Sequence, residues 1–416
     1  NMFSVFGNYA LNEKEKIQFY ASHNYSYEGV TGQIPYADYY AGVDSGNKAY
    51  AKQNARNELL ATRFSITHEY QFNKQWSNTT SLFYSNVEQH AVSAGADGNS
   101  YNPNFGFRSI FTLKQKINDH INHQLYLGSE FQQARSLASS FRFPTIDTTA
   151  LVVQNISKGS FLKTSTNQYA LFVHERINFD ALQSAIIIGL SMNQLHYNRT
   201  DLLAAPGLLT GYNKDFSFNK QFETSFNPHI AIQKTYKNQI INLSYSEGLN
   251  APTASTSFIS TLNITNDKLL PEKAKMIDFS VQGLLLGTCL DYQLSIFSIN
   301  VENKLTQLAG MSGTTPYTYW SNTGTQQNKG IELSIGYSWQ PRLKALQWIK
   351  KIEPFIATSN YQFEYTNFKT LMNGLAVDYS GKQVVGIPKM KYTVGIDIQT
   401  EKGFYANATY YYLGDV

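Results

Sequence analysis

The side chains that could bind a metal or move a proton are eight dispersed histidines, one cysteine and thinly spread carboxylates. Only His120 and His123 come close together, straddling a predicted short turn, and no carboxylate or third ligand stands at a spacing that would complete a metal site. A single Cys289 excludes a disulfide framework and a cysteine-based zinc site. The sequence has no H-E-x-x-H, no G-x-S-x-G and no phosphate-binding glycine loop. Ser and Asn are so frequent that a hydrolytic triad could be drawn anywhere, so covalent catalysis is not expected. What stands out is aromatic. Tyr27, Tyr36, Tyr39, Tyr40 and Tyr50 crowd the segment 27–57, and Tyr317, Tyr319 and Trp320 crowd 305–328. Such side chains offer large, rigid, amphipathic contacts at low entropic cost, which suits capture of an organic ligand. Tyr36, Tyr39, Tyr40, Tyr317, Tyr319 and Trp320 are therefore the expected ligand contacts. No metal or cofactor is expected.

The elements carrying these clusters are strands. Period-two alternation recurs from end to end, and each clean example has one apolar and one polar face. Ile241, Leu243 and Tyr245 oppose Asn242, Ser244 and Ser246, and Ile331, Leu333, Ile335 and Tyr337 oppose Glu332, Ser334 and Ser338. Within Tyr292–Val301 the apolar set passes from Tyr292, Leu294 and Ile296 to Phe297, Ile299 and Val301, which predicts a β-bulge. The links alternate between short ones (12–16, 71–75, 118–121, 178–181, 236–238, 286–289, 401–403) and long polar ones (27–57, 88–104, 136–164, 198–218, 249–275, 305–328, 366–389). One short-side link, 339–351, is longer and is expected to hold a helical turn. About sixteen strands result, each long enough to cross a bilayer at a tilt.

Composition agrees. The chain is 14% aromatic and only 15% charged, yet its mean hydropathy is -0.34. It lacks an apolar run of ~18 residues, which excludes membrane-spanning helices, while strands with one lipid-facing side reconcile many aromatics with a polar average. The formal charge of +4 is scattered along the chain, so nucleic acid is not an expected partner. Trp76, Trp339 and Trp348 flank short links, where an interfacial aromatic girdle would put them. The fold expected is all-β, a transmembrane antiparallel barrel with short periplasmic turns and long extracellular loops.

The second half, roughly residues 165–416, resembles TonB-dependent outer-membrane receptors, particularly those of the Bacteroidetes type. Tyr245-Ser246-Glu247-Gly248-Leu249-Asn250-Ala251-Pro252 is similar to the family's strand-to-loop motif, with Leu249 and Asn250 replacing the usual aromatic and Arg. Leu270-Pro271-Glu272 looks like its L-x-P-E, and Asn322-Thr323-Gly324 followed by Lys329-Gly330-Ile331-Glu332 looks like its N-x-G…K-G-[VI]-E. Read physically, Pro252 belongs where pairing ends, Gly330 allows close approach inside the lumen, and Glu332 points inward.

The resemblance implies a 22-stranded barrel filled by a plug, with residues 1–416 forming a partial barrel: about sixteen strands, the fourth to the nineteenth, without plug or terminal strands. It implies the outer membrane of a Gram-negative cell, lipid around the barrel, and TonB as a partner through an N-terminal segment not in this sequence. The cargo implied is a ferric siderophore, with a cobalamin, another metal complex or a glycan using the same barrel. A passive porin shares the barrel without the plug. A soluble β-rich adhesion or glycan-binding protein is the third reading. None requires an enzyme.

Overall fold

The structure is a computed structural model and describes residues 1–43, 46–143, 157–204, 215–253, 255–259, 261–262, 264–266, 268–372 and 375–415. Strands β1 (Met2–Asn12), β2 (Glu15–Gly29), β3 (Arg56–Gln71), β4 (Trp76–Val92), β5 (Ala96–Asn118), β6 (Ile121–Arg142), β7 (Ser157–Phe179) and β8 (Ser184–Asp201) form the first half of the sheet. Short β9 (Phe218–Gln221) pairs with the end of β8. The second half comprises β10 (Ser225–Tyr236), β11 (Gln239–Asn250), two-residue β12 (Phe258–Ile259) and β13 (Ile264–Thr265), β14 (Glu272–Leu285), β15 (Leu290–Glu302), β16 (Leu305–Ser312), β17 (Thr315–Asn322), β18 (Thr325–Tyr337), β19 (Ile349–Asn367), β20 (Lys369–Met372), β21 (Leu375–Asp378), β22 (Met390–Thr400) and β23 (Tyr405–Leu413). Three small hairpins, β12–β13, β16–β17 and β20–β21, stand apart from a main sheet of 17 strands.

Setting β9 aside, 17 − 1 leaves sixteen long strands, as expected from the alternation. All pair antiparallel with their neighbours in the meander. Among the described residues no pairing joins β1 to β23.

Register aligns the apolar positions into continuous rows. Phe19, Ile66, Leu82, Phe107, Phe131 and Tyr169 are successive cross-strand partners. So are Ile186, Ile232, Leu243, Phe279, Ile296 and Ile331. Many of these side chains lie exposed to the surroundings, Leu82 and Ile232 by more than half, as a belt facing hydrocarbon requires. The opposite face is polar. There the Thr67 and Ser81 hydroxyls meet at 2.8 Å, Arg108 and Glu130 at 3.5 Å, and Arg176 donates to Gln233 at 2.6 Å.

Short turns explain themselves locally. Asn12, Asn73 and Asn118 each accept, through Oδ1, the amide of the residue two further on, the side-chain mimic of a turn that favours Asn there. The links after β7 and β14 instead close through 3₁₀ turns at Asp180–Leu182 and Leu286–Thr288, and exposed Cys289 ends the second. Lys344–Leu346 supplies the turn expected in the longer link.

The long links differ from expectation. Much of 88–104 is ladder: β4 runs to Val92 and β5 begins at Ala96. Above a bilayer both faces of a strand meet water, so pairing continues after alternation has ended. The segment 136–164 lies partly outside the described residues, but β6 and β7 extend into it from both sides. The predicted bulge is absent as well. Strand β15 pairs with both neighbours in unbroken register. The apolar set changes sides because Phe297 lies on the polar face in an aromatic cluster with Tyr361 and Phe363, at centroid distances of 6.3 and 6.5 Å.

Candidate functional site

A sheet wet on one face and lipid-facing on the other buries mainly small side chains such as Ala185 and Ala231. Among the described residues the largest fully buried side chains, Leu203 and Pro252, lie instead in the layer of loops above it. Around them Tyr197 meets Phe222 edge-on at 5.6 Å and Phe216 meets Phe258 at 4.5 Å, which joins the β8–β10 connection to the β11–β14 connection. Buried Asp201 accepts the amides of Leu203 and Phe216 at 2.9 and 3.3 Å. Pro252 stands just beyond the end of β11, where its missing amide hydrogen costs no ladder bond.

The motif residues sit at the base of this layer. Glu272, first residue of β14 and above the belt, accepts Lys304 Nζ and the Leu305 amide, both at 2.8 Å, on one carboxylate oxygen and Asn250 Nδ2 at 2.8 Å on the other. Burial pushes this carboxyl up, and the three donors together outweigh burial and hold it below its ordinary range. Asn322 is as fully used: its oxygen accepts the Leu270 amide at 2.8 Å, and its Nδ2 donates to the carbonyls of Leu270 at 2.9 Å and Asn303 at 2.7 Å. Gly324 has φ +119°, and a Cβ there would fall 1.9 Å from the Asn367 carbonyl oxygen, so only glycine fits. Pro271 contributes its carbonyl to Asn303 Nδ2 at 3.4 Å. Gly248, on β11, has nothing within 4 Å of a Cβ position.

Further down, a Cβ on Gly330 would lie 2.4 Å from the Phe297 ring and 2.9 Å from that of Tyr361. The close approach expected there is between rings and backbone. Glu332, on the same face, accepts the Tyr361 hydroxyl at 2.6 Å.

The aromatic clusters are placed differently from one another. Tyr36, Tyr39 and Tyr40 share a one-turn helix, α1 (Tyr36–Tyr40), which starts after Pro35. All three are more than two-thirds exposed, and Tyr40 touches Tyr36 at 4.4 Å and Tyr39 at 5.4 Å. A second short helix, α2 (Lys48–Lys52), is capped by Asn47. Tyr317 and Tyr319 lie on one face of β17 with centroids 5.7 Å apart. Burial raises the Tyr319 hydroxyl above its ordinary range, and neighbouring Tyr317 adds to it. Trp320 belongs to the alternate face, since successive strand residues point oppositely, and its carbonyl accepts Asn266 Nδ2 at 2.7 Å. The expected trio is thus a tyrosine pair plus one residue facing elsewhere. The structural use of Glu272 and Asn322 escaped the sequence, because their partners lie up to 52 residues away. His123 is engaged by Glu175 at 2.7 Å and Gln115 at 3.2 Å.

Together these features define the wall of a membrane-spanning antiparallel β-barrel: lipid belt, polar lumen, short turns on one side and a folded loop layer on the other. Residues 11–416 match the family described as TonB dependent receptor-like, beta-barrel, and the chain belongs to that family. Its place is the outer membrane of a Gram-negative bacterium.

Solved structures agree in fold. Similar ones include the siderophore receptor PiuA from Acinetobacter baumannii (14% identity, TM-score 0.72, covering 99% of this chain and 64% of that one) and the unliganded ferric citrate transporter FecA (12%, 0.73, 99% and 57%). The RagAB peptide transporter is also similar (10%, 0.67, 99% and 57%). This chain thus spans less than two-thirds of these relatives' length. No curated protein matches it.

Proposed function

We propose that this barrel belongs to a receptor that captures a ferric siderophore with its extracellular loops and imports it as TonB displaces a plug. The observation that carries this reading is the paired Tyr317 and Tyr319 rings, tilted 40° to one another, on a hairpin whose base is fixed by Glu272 and Asn322. Two rigid rings held at a defined height offer a ligand contact area with little entropy left to lose. The exposed tyrosines of α1 give a second contact surface. Iron cargo is supported by siderophore and ferric citrate receptors standing among the similar folds. In this reading the chain performs no covalent chemistry. The test is iron-limited growth and ferric-siderophore binding by the complete receptor with Tyr317, Tyr319 and Trp320 changed to Ala. At least a tenfold loss of affinity is expected, and unchanged binding removes this hairpin from the site.

A further inference from the structure

A cleft of about 500 Å³ opens on the outer face of the wall, where β3 to β7 rise above the belt. Tyr25, Leu60, Glu88, Tyr101, Leu137 and Lys163 are successive cross-strand partners. Each stands six residues from its counterpart in the belt row that runs from Phe19 through Leu82 to Tyr169, in the direction of the long links. That even step keeps the side chains on the lipid-facing side and about 20 Å further along their strands. The next row outward continues the cleft with Glu58, His90, Asn99, Ser139 and Phe161. Tyr25, Tyr101 and Leu137 each remain more than a third exposed, so an apolar floor is turned away from lumen and loops alike.

Charge is divided across this cleft. Glu58 and Glu88 stand on the β3–β4 side, where Glu58 takes Arg56 at 2.5 Å and the Tyr25 hydroxyl at 3.5 Å, and Glu88 takes Asn86 Nδ2 at 2.9 Å. Arg135 and Lys163 flank it on the β6–β7 side as diagonal neighbours, since Arg135 is opposite Ser165 and Leu137 opposite Lys163. Both are exposed, and among the described residues neither has a hydrogen-bonding or ionic partner. Three strand spacings, about 14 Å, separate Glu88 from Lys163, so the two sides do not neutralise each other. Between the cations and the belt lie Gln133 and Asn167, bonded at 2.7 Å, and below them on the same face Phe131 and Tyr169.

We infer that this cleft seats the headgroup of a phosphorylated glycolipid from the outer leaflet of the membrane. The planar fork of Arg135 and the ammonium of Lys163 take a phosphate. A sugar ring lies against Tyr101 and Leu137, an apolar floor beside a few convergent polar groups, and its hydroxyls donate to the carboxylates of Glu88 and Glu58. The acyl chains descend over Phe131 and Tyr169 into the belt. Continuity with the belt selects a lipid over a soluble sugar phosphate, and the divided charge selects a headgroup that carries both hydroxyls and phosphate.

The inference is independent of the cargo, because the cleft faces away from the lumen. The complete receptor in detergent, titrated with a bis-phosphorylated deep-rough lipopolysaccharide and followed by native mass spectrometry, should hold one glycolipid per chain. Arg135→Gln combined with Lys163→Gln should lower retention at least tenfold, and Tyr101→Ala should lower it severalfold, with the heat-modifiable migration of the folded barrel preserved in both variants. Removing the phosphates from the glycolipid should cost the unaltered receptor a similar tenfold. Retention that neither the double substitution nor dephosphorylation moves overturns the site. Equally tight binding of soluble glucosamine 6-phosphate overturns the lipid source. Co-purification of a protein that the double substitution releases, with no glycolipid held, overturns the inference in favour of a protein partner.

Discussion

The two halves of the sheet rise above the membrane by different means. Strands β5, β6 and β7 are 23, 22 and 23 residues long, about twice the ~9–11 residues that cross a bilayer, so the wall continues outward as one hydrogen-bonded ladder. Strands β10, β11, β14, β15 and β18 have only 12 to 14 residues. There the height comes from the loop layer and the separate β16–β17 hairpin, held by the side chains of Glu272 and Asn322. A backbone ladder spreads its stability over many bonds that no single side chain controls. A side-chain clip concentrates it in a few positions, and those are the positions that form the recognisable motifs.

The largest effect should come from Gly324→Ala. With the backbone at φ +119° and the Asn367 oxygen 1.9 Å from the new carbon, opening of the β16–β17 hairpin should become easier by about 3 kcal/mol. Amide exchange across Leu305–Asn322 would report it, and unaltered protection would mean that the hairpin is not held at this corner. Glu272→Ala should cost about 2 kcal/mol of the same protection, because it strands the Leu305 amide and the Lys304 ammonium. Exchange confined to β14 and sparing the hairpin would argue against the clip.

Acid gives a milder version of the same experiment. The folded-state pKa of Glu272 is lowered from the unperturbed 4.5, so its contribution is present above that value and disappears as pH falls through the lower, folded-state pKa. Protection of the hairpin should therefore weaken below about pH 4.5, and in Glu272→Gln this acid dependence should flatten. The smallest effect belongs to the other half. His90, bonded to Asp97 at 3.0 Å and 3.5 Å from Glu58, lies on the extended ladder, and His90→Ala should change exchange in β4 and β5 by less than about 0.5 kcal/mol. A tenfold rise would erase the contrast between the halves.

How much of this was legible follows from where the signal originates. Alternation is written by the contrast between lipid and lumen, so the strand count, the short turns and the inward direction of Glu332 could be read directly. Where both faces meet water the contrast vanishes, and the ladder through Ala96–Asn104 looked like a loop. Where the lumen itself is aromatic, as around Phe297, the contrast inverts and imitates a bulge. At the site, the tyrosines were visible by type. That Trp320 faces away from Tyr319 required the strand, and that Asn250 joins Glu272 required the register.

The meander has a consequence for assembly. Because each long strand pairs only with its neighbours in sequence, the wall can grow one hairpin at a time through contacts of short sequence separation, the kind that form fast. The buried contact of Phe216 with Phe258 cannot join that progression until β8, β10 and β11 are already side by side. Closure of the loop layer is therefore a late folding event. A receptor stalled partway through insertion would carry a finished wall and an open, protease-sensitive roof, so cleavage in the connections around Phe216 and Phe258 would mark chains that had not completed folding.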